Sequence, residues 1–264
     1  MSANRVPEQL SYGTYLRVPE LLALQTPVGR PPVHDEMLFI ILQQAQELWF
    51  KQILHELHEI VDMILRGELP EATRLLHRVN RILGVLSAEV EVMETLAPHE
   101  FMRFRDRLKP SSGFESQQFR LLELASGLED EDFLKLAERL VDMDAFRTDW
   151  PTTLRTAFLN ALREAEDPVR ALVGIYENPS RNPVLHALAE ALSEYEMRFA
   201  EWRFHHVLLV ERIIGDRAPG TGGSSGTAYL NKTVRYRFFP ELWEARNQIT
   251  ERAPKPGADF PSHR

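Results

Sequence analysis

Residues 185–214, "LHALAEALSEYEMRFAEWRFHHVLLVERII", decide the fold class, because their apolar side chains recur at alternating spacings of three and four. This spacing predicts one long amphipathic helix over residues 183–215 with a single buried face. The buried face comprises Leu185, Leu188, Leu192, Tyr195, Phe199, Trp202, Leu209 and Ile213. The gap of seven after Trp202 hides one missing member of that face, which is His206. Because His205 points about 100° away, the sequence predicts that His206 faces inward and His205 does not.

An inward histidine has two interpretations. It can be a core residue that is hydrogen-bonded to a neighbour, or it can be a metal ligand, since neutral imidazole coordinates iron, zinc or copper. The chain contains no cysteine, so thiolate metal sites and disulfides are excluded. The surroundings of His206 are apolar and aromatic, which makes a haem with an axial histidine one candidate. Spacing alone does not decide between the two interpretations.

The rest of the chain also has helical periodicity. Further helices are predicted at residues 34–66, 70–96 and 98–107, in shorter pieces across 130–177, and once or twice between 227 and 248. Ser112 is expected near the cap of a helix that follows the turn "KPSSG". Sustained alternation with a period of two and Asn-Gly or Asp-Gly hairpin turns are both missing from the sequence. We therefore expect an all-α fold in which long antiparallel helices form a bundle.

Composition limits the class of protein. A chain of 264 residues that is 44% hydrophobic can bury a sizeable core, and no linker or repeat divides it, so we expect one domain over residues 1–264 with a loose tail at 250–264. The net charge of −8 argues against a broad nucleic-acid surface. No apolar run approaches the roughly 18 residues of a membrane span, and the N-terminus lacks the apolar core of a signal peptide. We expect a cytoplasmic protein that binds neither nucleic acid nor membrane.

Two pairs of residues could line a ligand pocket. Phe39 and Gln43 are four residues apart and share a helix face, which is either a pocket wall or a helix contact. Phe101 and Arg105 have the same spacing. An arginine beside an aromatic ring can hold a carboxylate through its planar fork, or it can simply pack its stem at the surface.

Two further motifs remain open. "HELHE" at 55–59 places His55 and His58 one turn apart, which more often marks a solvated helix face than a metal site. "GTGGSSG" at 220–226 resembles a phosphate-binding loop but lacks the Lys-Ser/Thr ending. It is either a flexible tether or a lid that closes over a ligand.

Taken together, five stretches resemble the tryptophan 2,3-dioxygenase family. They are "YGTYL" (12–16), "HDEMLFIILQQAQELWFKQILHEL" (34–57), "FRDRLKPSSGFESQQFRLLE" (104–123), "WRFHHVLLVERIIG" (202–215) and "GTGGSSGTAYL" (220–230). The resemblance implies haem b held between long helices and a homotetramer, arranged as a dimer of dimers, in which residues 1–30 contact a neighbouring subunit. It also implies that the chain is an enzyme of tryptophan catabolism, in the kynurenine pathway. The expected reaction inserts O2 across C2–C3 of the indole of L-tryptophan, or of a close derivative, to give N-formylkynurenine.

The resemblance also assigns roles to single residues. His206 matches the proximal ligand of the haem iron, and Trp202 belongs to the same motif. Ser112 and Gly113 match a Ser-Gly turn over the haem. The remaining matches are with the substrate site. Phe39 matches the wall of the indole pocket, Arg105 matches the arginine that binds the substrate carboxylate, and Phe101 matches the aromatic residue one turn before that arginine. Thr221 matches the threonine that meets the ammonium group, and Tyr12 and Tyr15 match tyrosines that a neighbouring subunit donates.

One position departs from the family pattern. The family usually has a distal histidine four residues after the pocket phenylalanine, and this chain has Gln43 there. Glutamine can accept a hydrogen bond from the indole N–H, but it cannot act as a general base near neutral pH. Besides the dioxygenase, two functions therefore stay open. One is a haem-dependent monooxygenase that converts a tryptophan derivative to a 2-oxindole with external electrons, and the other is a haem- or indole-binding protein without turnover.

Overall fold

The computed structural model describes residues 10–162, 167–216 and 227–252, and within these ranges the regular structure is entirely helical. This confirms the predicted all-α fold. In chain order the α-helices are α1 (Tyr12–Leu16), α2 (Val18–Leu21), α3 (Glu36–Arg66), α4 (Leu69–Met93), α5 (Pro98–Arg105), α6 (Gln117–Ser126), α7 (Glu131–Leu140), α8 (Met143–Asp149), α9 (Leu154–Ala161), α10 (Pro168–Glu177), α11 (Pro183–Ile214), α12 (Thr227–Thr233) and α13 (Pro240–Arg252). Short 3-10 turns lie at Asp106–Leu108, Gly113–Glu115 and Pro179–Arg181.

The first two long helices form an antiparallel hairpin. Helix α3 ends at Gly67, whose φ of 80° is the left-handed conformation that glycine adopts without strain. The N–H of Glu68 then donates to the carbonyl of Met63 at 2.9 Å, which closes the helix end. Pro70 lies in the first turn of α4, where its missing N–H costs no helical hydrogen bond. The chain therefore reverses within two residues.

Helix α11 packs along α4 and runs in the same direction, so it is antiparallel to α3. The Asn80 side chain donates to the carbonyl of Ala191 at 3.0 Å, and Arg212 donates to the carbonyl of Glu94 at 3.2 Å near the ends of both helices. Among the largest fully buried side chains are core residues from α3, α4 and α11: Ile53, Leu57, Leu76, Tyr195 and Phe199. Burying one such apolar side chain contributes about 1.5–3 kcal/mol, so these three helices are the main framework of the fold.

The structure corrects two local predictions. Ser112 caps the 3-10 turn Gly113–Glu115, and the helix that follows is capped by Ser116, whose side chain accepts from the N–H of Phe119 at 3.2 Å. The predicted tail starts too early, because α13 continues to Arg252. Residues 253–264 lie outside the described ranges. No helix in the described part of the chain is long and apolar enough to cross a membrane.

The segment between α12 and α13 is fixed to α11 by one buried carboxylate. Glu196 accepts hydrogen bonds from the backbone N–H groups of Phe238 and Phe239 and from the indole N–H of Trp243. The rings of Phe238 and Phe239 are fully buried within the subunit. Burial raises the pKa of Glu196. This attachment holds the chain on either side of it, including α12, which forms part of the site described next.

Candidate active site

A cavity of about 420 Å³ lies between α3, α5, α6, α11 and α12, with the turn after α5 along one side. Its volume is within the range of about 300–1,000 Å³ that is typical of small-molecule sites. Eight of the predicted site residues line it, although they come from sequence positions far apart. They are Phe39, Gln43, Phe101, Arg105, Ser112, Gly113, Trp202 and His206.

Three phenylalanines form an aromatic cluster at the wall of this cavity. The ring of Phe39 lies 5.7 Å from those of both Phe101 and Phe104, and the last two rings are 5.2 Å apart with an edge-to-face arrangement. Phe104 is fully buried and supports the two rings that line the cavity. Sequence reasoning did not name Phe104, although its spacing of three from Phe101 was a signal that the two rings would meet. An aromatic wall of this kind suits a flat aromatic ligand.

His206 lines the cavity, whereas His205 does not. The imidazole of His206 is stacked on the indole of Trp202, with ring centres 5.5 Å apart and planes within 8°. The ring is partly exposed because it borders the cavity, but protein atoms enclose it on the other sides. Burial lowers the pKa of His206 to about 4. The ring is therefore neutral near pH 7, which is the form that ligates a metal.

The α3 wall of the cavity continues from Phe39 through Gln43 to Glu47. Glu47 is fixed by Gln118 of α6, whose amide donates to the Glu47 carboxylate at 2.7 Å and to its carbonyl at 2.9 Å. Gln44 has a different environment from Gln43. It pairs with Gln25 at 2.6 Å and donates to the carbonyl of Leu24 at 3.3 Å, so it holds the N-terminal segment and does not line the cavity.

The Ser112–Gly113 turn is ordered by its own side chains. The Ser112 hydroxyl accepts from the N–H of Phe114, and the Glu115 carboxylate accepts from the N–H of Ser112, both at 3.3 Å. A methyl group added at Gly113 would meet no atom of the described residues within 4 Å. The part of the chain that the structure describes therefore leaves the space beside this glycine unfilled.

A buried ion triad, which we define as Arg120, Glu123 and Arg203, forms another part of the cavity wall. Arg203 donates to the Glu123 carboxylate at 2.7 Å, and the guanidinium of Arg120 lies 3.1 Å from the other carboxylate oxygen. Sequence reasoning missed this triad. Its members lie within the quoted stretches "FRDRLKPSSGFESQQFRLLE" and "WRFHHVLLVERIIG". Because these stretches form two different helices, α6 and α11, the residue spacing within one helix does not predict that the three side chains meet.

Three predicted site residues are not part of the cavity in the described chain. Tyr12 and Tyr15 are 79% and 70% exposed on α1, a helix with no buried residue. Thr221 lies outside the described residues. The segment that follows α1 and α2 is attached to α3, because the buried Glu36 carboxylate accepts from the N–H groups of Val28 at 2.6 Å and Gly29 at 2.9 Å.

The "HELHE" motif has ordinary surface contacts. His58 lies against the ring of Trp150 at 5.1 Å and 3.9 Å from the carboxylate of Asp62. Among the residues that the structure describes, no three His, Asp or Glu side chains converge on a point where they could hold a metal ion.

The fold and the cavity define a class, namely an all-α protein with a ligand-sized, aromatic-walled cavity between long helices. The family model for tryptophan 2,3-dioxygenase matches residues 2–172 and 164–249. The chain belongs to the tryptophan 2,3-dioxygenase family.

Curated relatives that carry the name tryptophan 2,3-dioxygenase are similar along almost the whole chain. The protein of Nocardioides sp. is 41% identical over 256 residues, which cover 91% of this chain and 95% of the relative. The proteins of Herpetosiphon aurantiacus and Caulobacter vibrioides are each 38% identical, over 263 and 264 residues, covering 92% of this chain and 99% of each relative.

Proposed function

We propose that this protein is a haem-dependent dioxygenase that inserts O2 across C2–C3 of the indole of L-tryptophan to give N-formylkynurenine. The observation that carries the proposal is the convergence of His206, Arg105, Phe39 and Gln43 on one cavity in a chain of this family. These residues come from three separate helices, α3, α5 and α11, so their proximity is not a property of one amphipathic helix.

The residues around the cavity fit haem b. His206 is neutral and is held flat against Trp202, so its ring has a fixed orientation and would be able to ligate the haem iron. Within the described ranges no atom fills the space beside Gly113, and buried N–H groups of Arg120 and Arg203 find no hydrogen-bond partner. When bound, haem would supply the iron at which O2 is activated for addition to the indole. We propose His206 as its protein ligand, with Trp202, Ser112 and Gly113 around it.

The other residues would bind and orient the substrate. Phe39 and Phe101 form a wall for the indole, and the Arg105 guanidinium would hold the α-carboxylate through its planar fork. Thr221 would meet the ammonium group, and Tyr12 and Tyr15 would reach the site of a neighbouring subunit. Fixing the reactants in this way can supply up to about 7–11 kcal/mol of the barrier reduction.

Gln43 is compatible with this reaction. Its carbonyl oxygen can accept a hydrogen bond from the indole N–H, which would orient the ring. Both atoms of O2 enter the product and no proton or electron is consumed overall, so the reaction does not require a distal base. Gln43 also motivates the alternative of a monooxygenase, in which one oxygen atom would enter a tryptophan derivative to give a 2-oxindole and external electrons would reduce the other to water.

We also propose a homotetramer formed as a dimer of dimers. The support is the N-terminal segment, where Leu10, Tyr12, Tyr15 and Leu22 are each more than half exposed and the short helices α1 and α2 bury no residue. Covering such side chains with a neighbouring subunit would remove apolar surface from water.

The test compares two adjacent histidines. His206→Ala and His205→Ala remove the same chemical group one residue apart, but only His206 lines the cavity. After reconstitution with haem and reduction, we expect the His205→Ala protein to consume as much O2 and as much L-tryptophan as the wild type. His206→Ala should lose the haem absorption spectrum and the activity. Haem binding without substrate consumption in the wild type would instead support a binding protein without turnover.

A further inference from the structure

The buried ion triad holds one carboxylate between two guanidinium groups. Arg120 and Arg203 are only 5% and 4% exposed, and Glu123 is fully buried. Glu123 can neutralise one of the two arginines, so the triad carries a net charge of +1. Asp130 and Asp132 pair with Lys232, but none of these three side chains lines the cavity. Burial of an uncompensated charge is unfavourable unless an opposite charge accompanies it.

The hydrogen bonds of the triad are also incomplete. Among the residues that the structure describes, the Nε atoms of Arg120 and Arg203 have no partner, and Nη1 of Arg120 contacts the Glu123 carboxylate without hydrogen-bond geometry. The Tyr229 hydroxyl, on another side chain that lines the cavity, lies near Arg120 and Tyr236 but makes no hydrogen bond of good geometry with the described residues. Burial raises the pKa of Tyr229, so it stays a neutral hydroxyl that can donate. Since buried donors are almost always paired in folded proteins, these groups indicate an acceptor that the described residues do not provide.

The surroundings of Arg120 define the chemistry of that acceptor. Phe119 lies against the guanidinium at 4.7 Å from the ring centre, and Phe114 and Phe133 lie at 5.8 and 6.0 Å. Three aromatic rings therefore surround the guanidinium, and because rings of this kind offer it no strong hydrogen-bond acceptor, its N–H groups are left to bind another group. The edge of a guanidinium matches a carboxylate, which is planar, anionic and can accept two parallel hydrogen bonds.

We propose that Arg120, held by Glu123 and reinforced by the charge of Arg203, binds a carboxylate of the molecule that occupies the cavity. This inference rests on the proposed function, which brings two carboxylate sources to the cavity: a propionate of haem and the α-carboxylate of the amino acid. Because the family resemblance assigns the amino-acid carboxylate to Arg105, the expected source for Arg120 is the haem propionate.

The test is a pair of thermodynamic cycles on the full-length protein. In the first cycle, wild type and Arg120→Met bind either haem or haem dimethyl ester, in which both propionates are esterified. In the second cycle, the haem-loaded proteins bind either L-tryptophan or tryptamine, which lacks the carboxylate. Arg120→Lys keeps the positive charge and shows whether that charge alone is sufficient to bind the carboxylate. Arg155→Met is the matched control, because Arg155 is also a largely buried, ion-paired arginine but does not line the cavity.

We expect Arg120→Met to weaken haem binding by about 10- to 100-fold and to leave binding of the dimethyl ester almost unchanged. Coupling in the second cycle instead of the first would assign the site to the amino-acid carboxylate. Equal losses for haem and its ester, with no coupling in the second cycle, would overturn the proposal and leave Arg120 a structural residue. Circular dichroism of each variant identifies a folding defect, in which case the Arg120→Lys cycle carries the test. If the wild type binds neither haem nor its ester, the proposed function fails and this inference fails with it.

Discussion

Replacing Gly29 by alanine tests how the N-terminal segment is held against α3. An added methyl group would lie 2.7 Å from the Glu36 carboxylate and 3.2 Å from Cγ2 of Val33. The first contact is shorter than real side chains allow, so the carboxylate must move. Because that carboxylate accepts the N–H groups of Val28 and Gly29, its movement removes at least one hydrogen bond to a charged group.

The size of the effect follows from that hydrogen bond. A hydrogen bond to a charged group contributes about 1.5–3 kcal/mol, and 1.4 kcal/mol corresponds to about a tenfold change in an equilibrium. Gly29→Ala should therefore shift the attachment of residues 10–30 toward the detached state by about 10- to 100-fold. Helices α1 and α2 bury no residue, so the loss should remain local while the core helices stay folded.

The assay is hydrogen exchange measured by mass spectrometry, with faster exchange expected in residues 10–30 and no change in α4 or α11. Gly84→Ala is the matched control, because a methyl group at Gly84 meets no atom within 4 Å. In the interior of α4 it should stabilise the helix by roughly 0.5–1 kcal/mol. Identical exchange in wild type and Gly29→Ala would refute the role of Glu36 as the anchor.

Three further predictions concern the cavity and its supports. Arg105→Ala should weaken L-tryptophan binding by about 1–3 kcal/mol or more and leave tryptamine binding unchanged, as measured by calorimetry; an equal effect on both ligands would remove Arg105 from the carboxylate site. Gly113→Ala should leave the unfolding temperature of the haem-free chain unchanged or slightly raised, because the methyl group meets no atom of the described residues, while haem binding measured by absorption becomes weaker. Burial raises the pKa of Glu196 above 4.5, so its stabilising contribution is complete below the unfolded-state pKa and declines as the pH rises through the folded-state pKa. The difference in unfolding free energy between wild type and Glu196→Gln should therefore shrink as the pH rises above the ordinary titration range of a glutamate, and a constant difference in urea titrations would contradict this.

The long helices were predictable because each carries its own periodic signal. The spacing in α11 is sufficient to place His206 on the inner face, and the direction of Gln44 away from the cavity follows from its position next to Gln43. Which of two nearby serines caps a helix was harder to predict. Ser112 and Ser116 are both suitable caps, and only the structure shows that the first ends up capping a 3-10 turn.

Contacts between distant segments could not be predicted from one sequence. Arg203 and Glu123 are 80 residues apart and meet only because α6 and α11 pack together. Glu196 likewise pairs with backbone groups more than 40 residues away. A buried charged residue at one position gives no indication of its partner, so the ion triad became visible only with the tertiary structure.

The most direct test of the proposed reaction is the mass of the product formed from L-tryptophan and ¹⁸O2 by the reduced, haem-reconstituted protein. The dioxygenase account predicts N-formylkynurenine that contains two labelled oxygen atoms, formed without continuous consumption of a reductant. A product with one labelled oxygen atom, formed in proportion to the reductant consumed, would contradict that account and establish the monooxygenase.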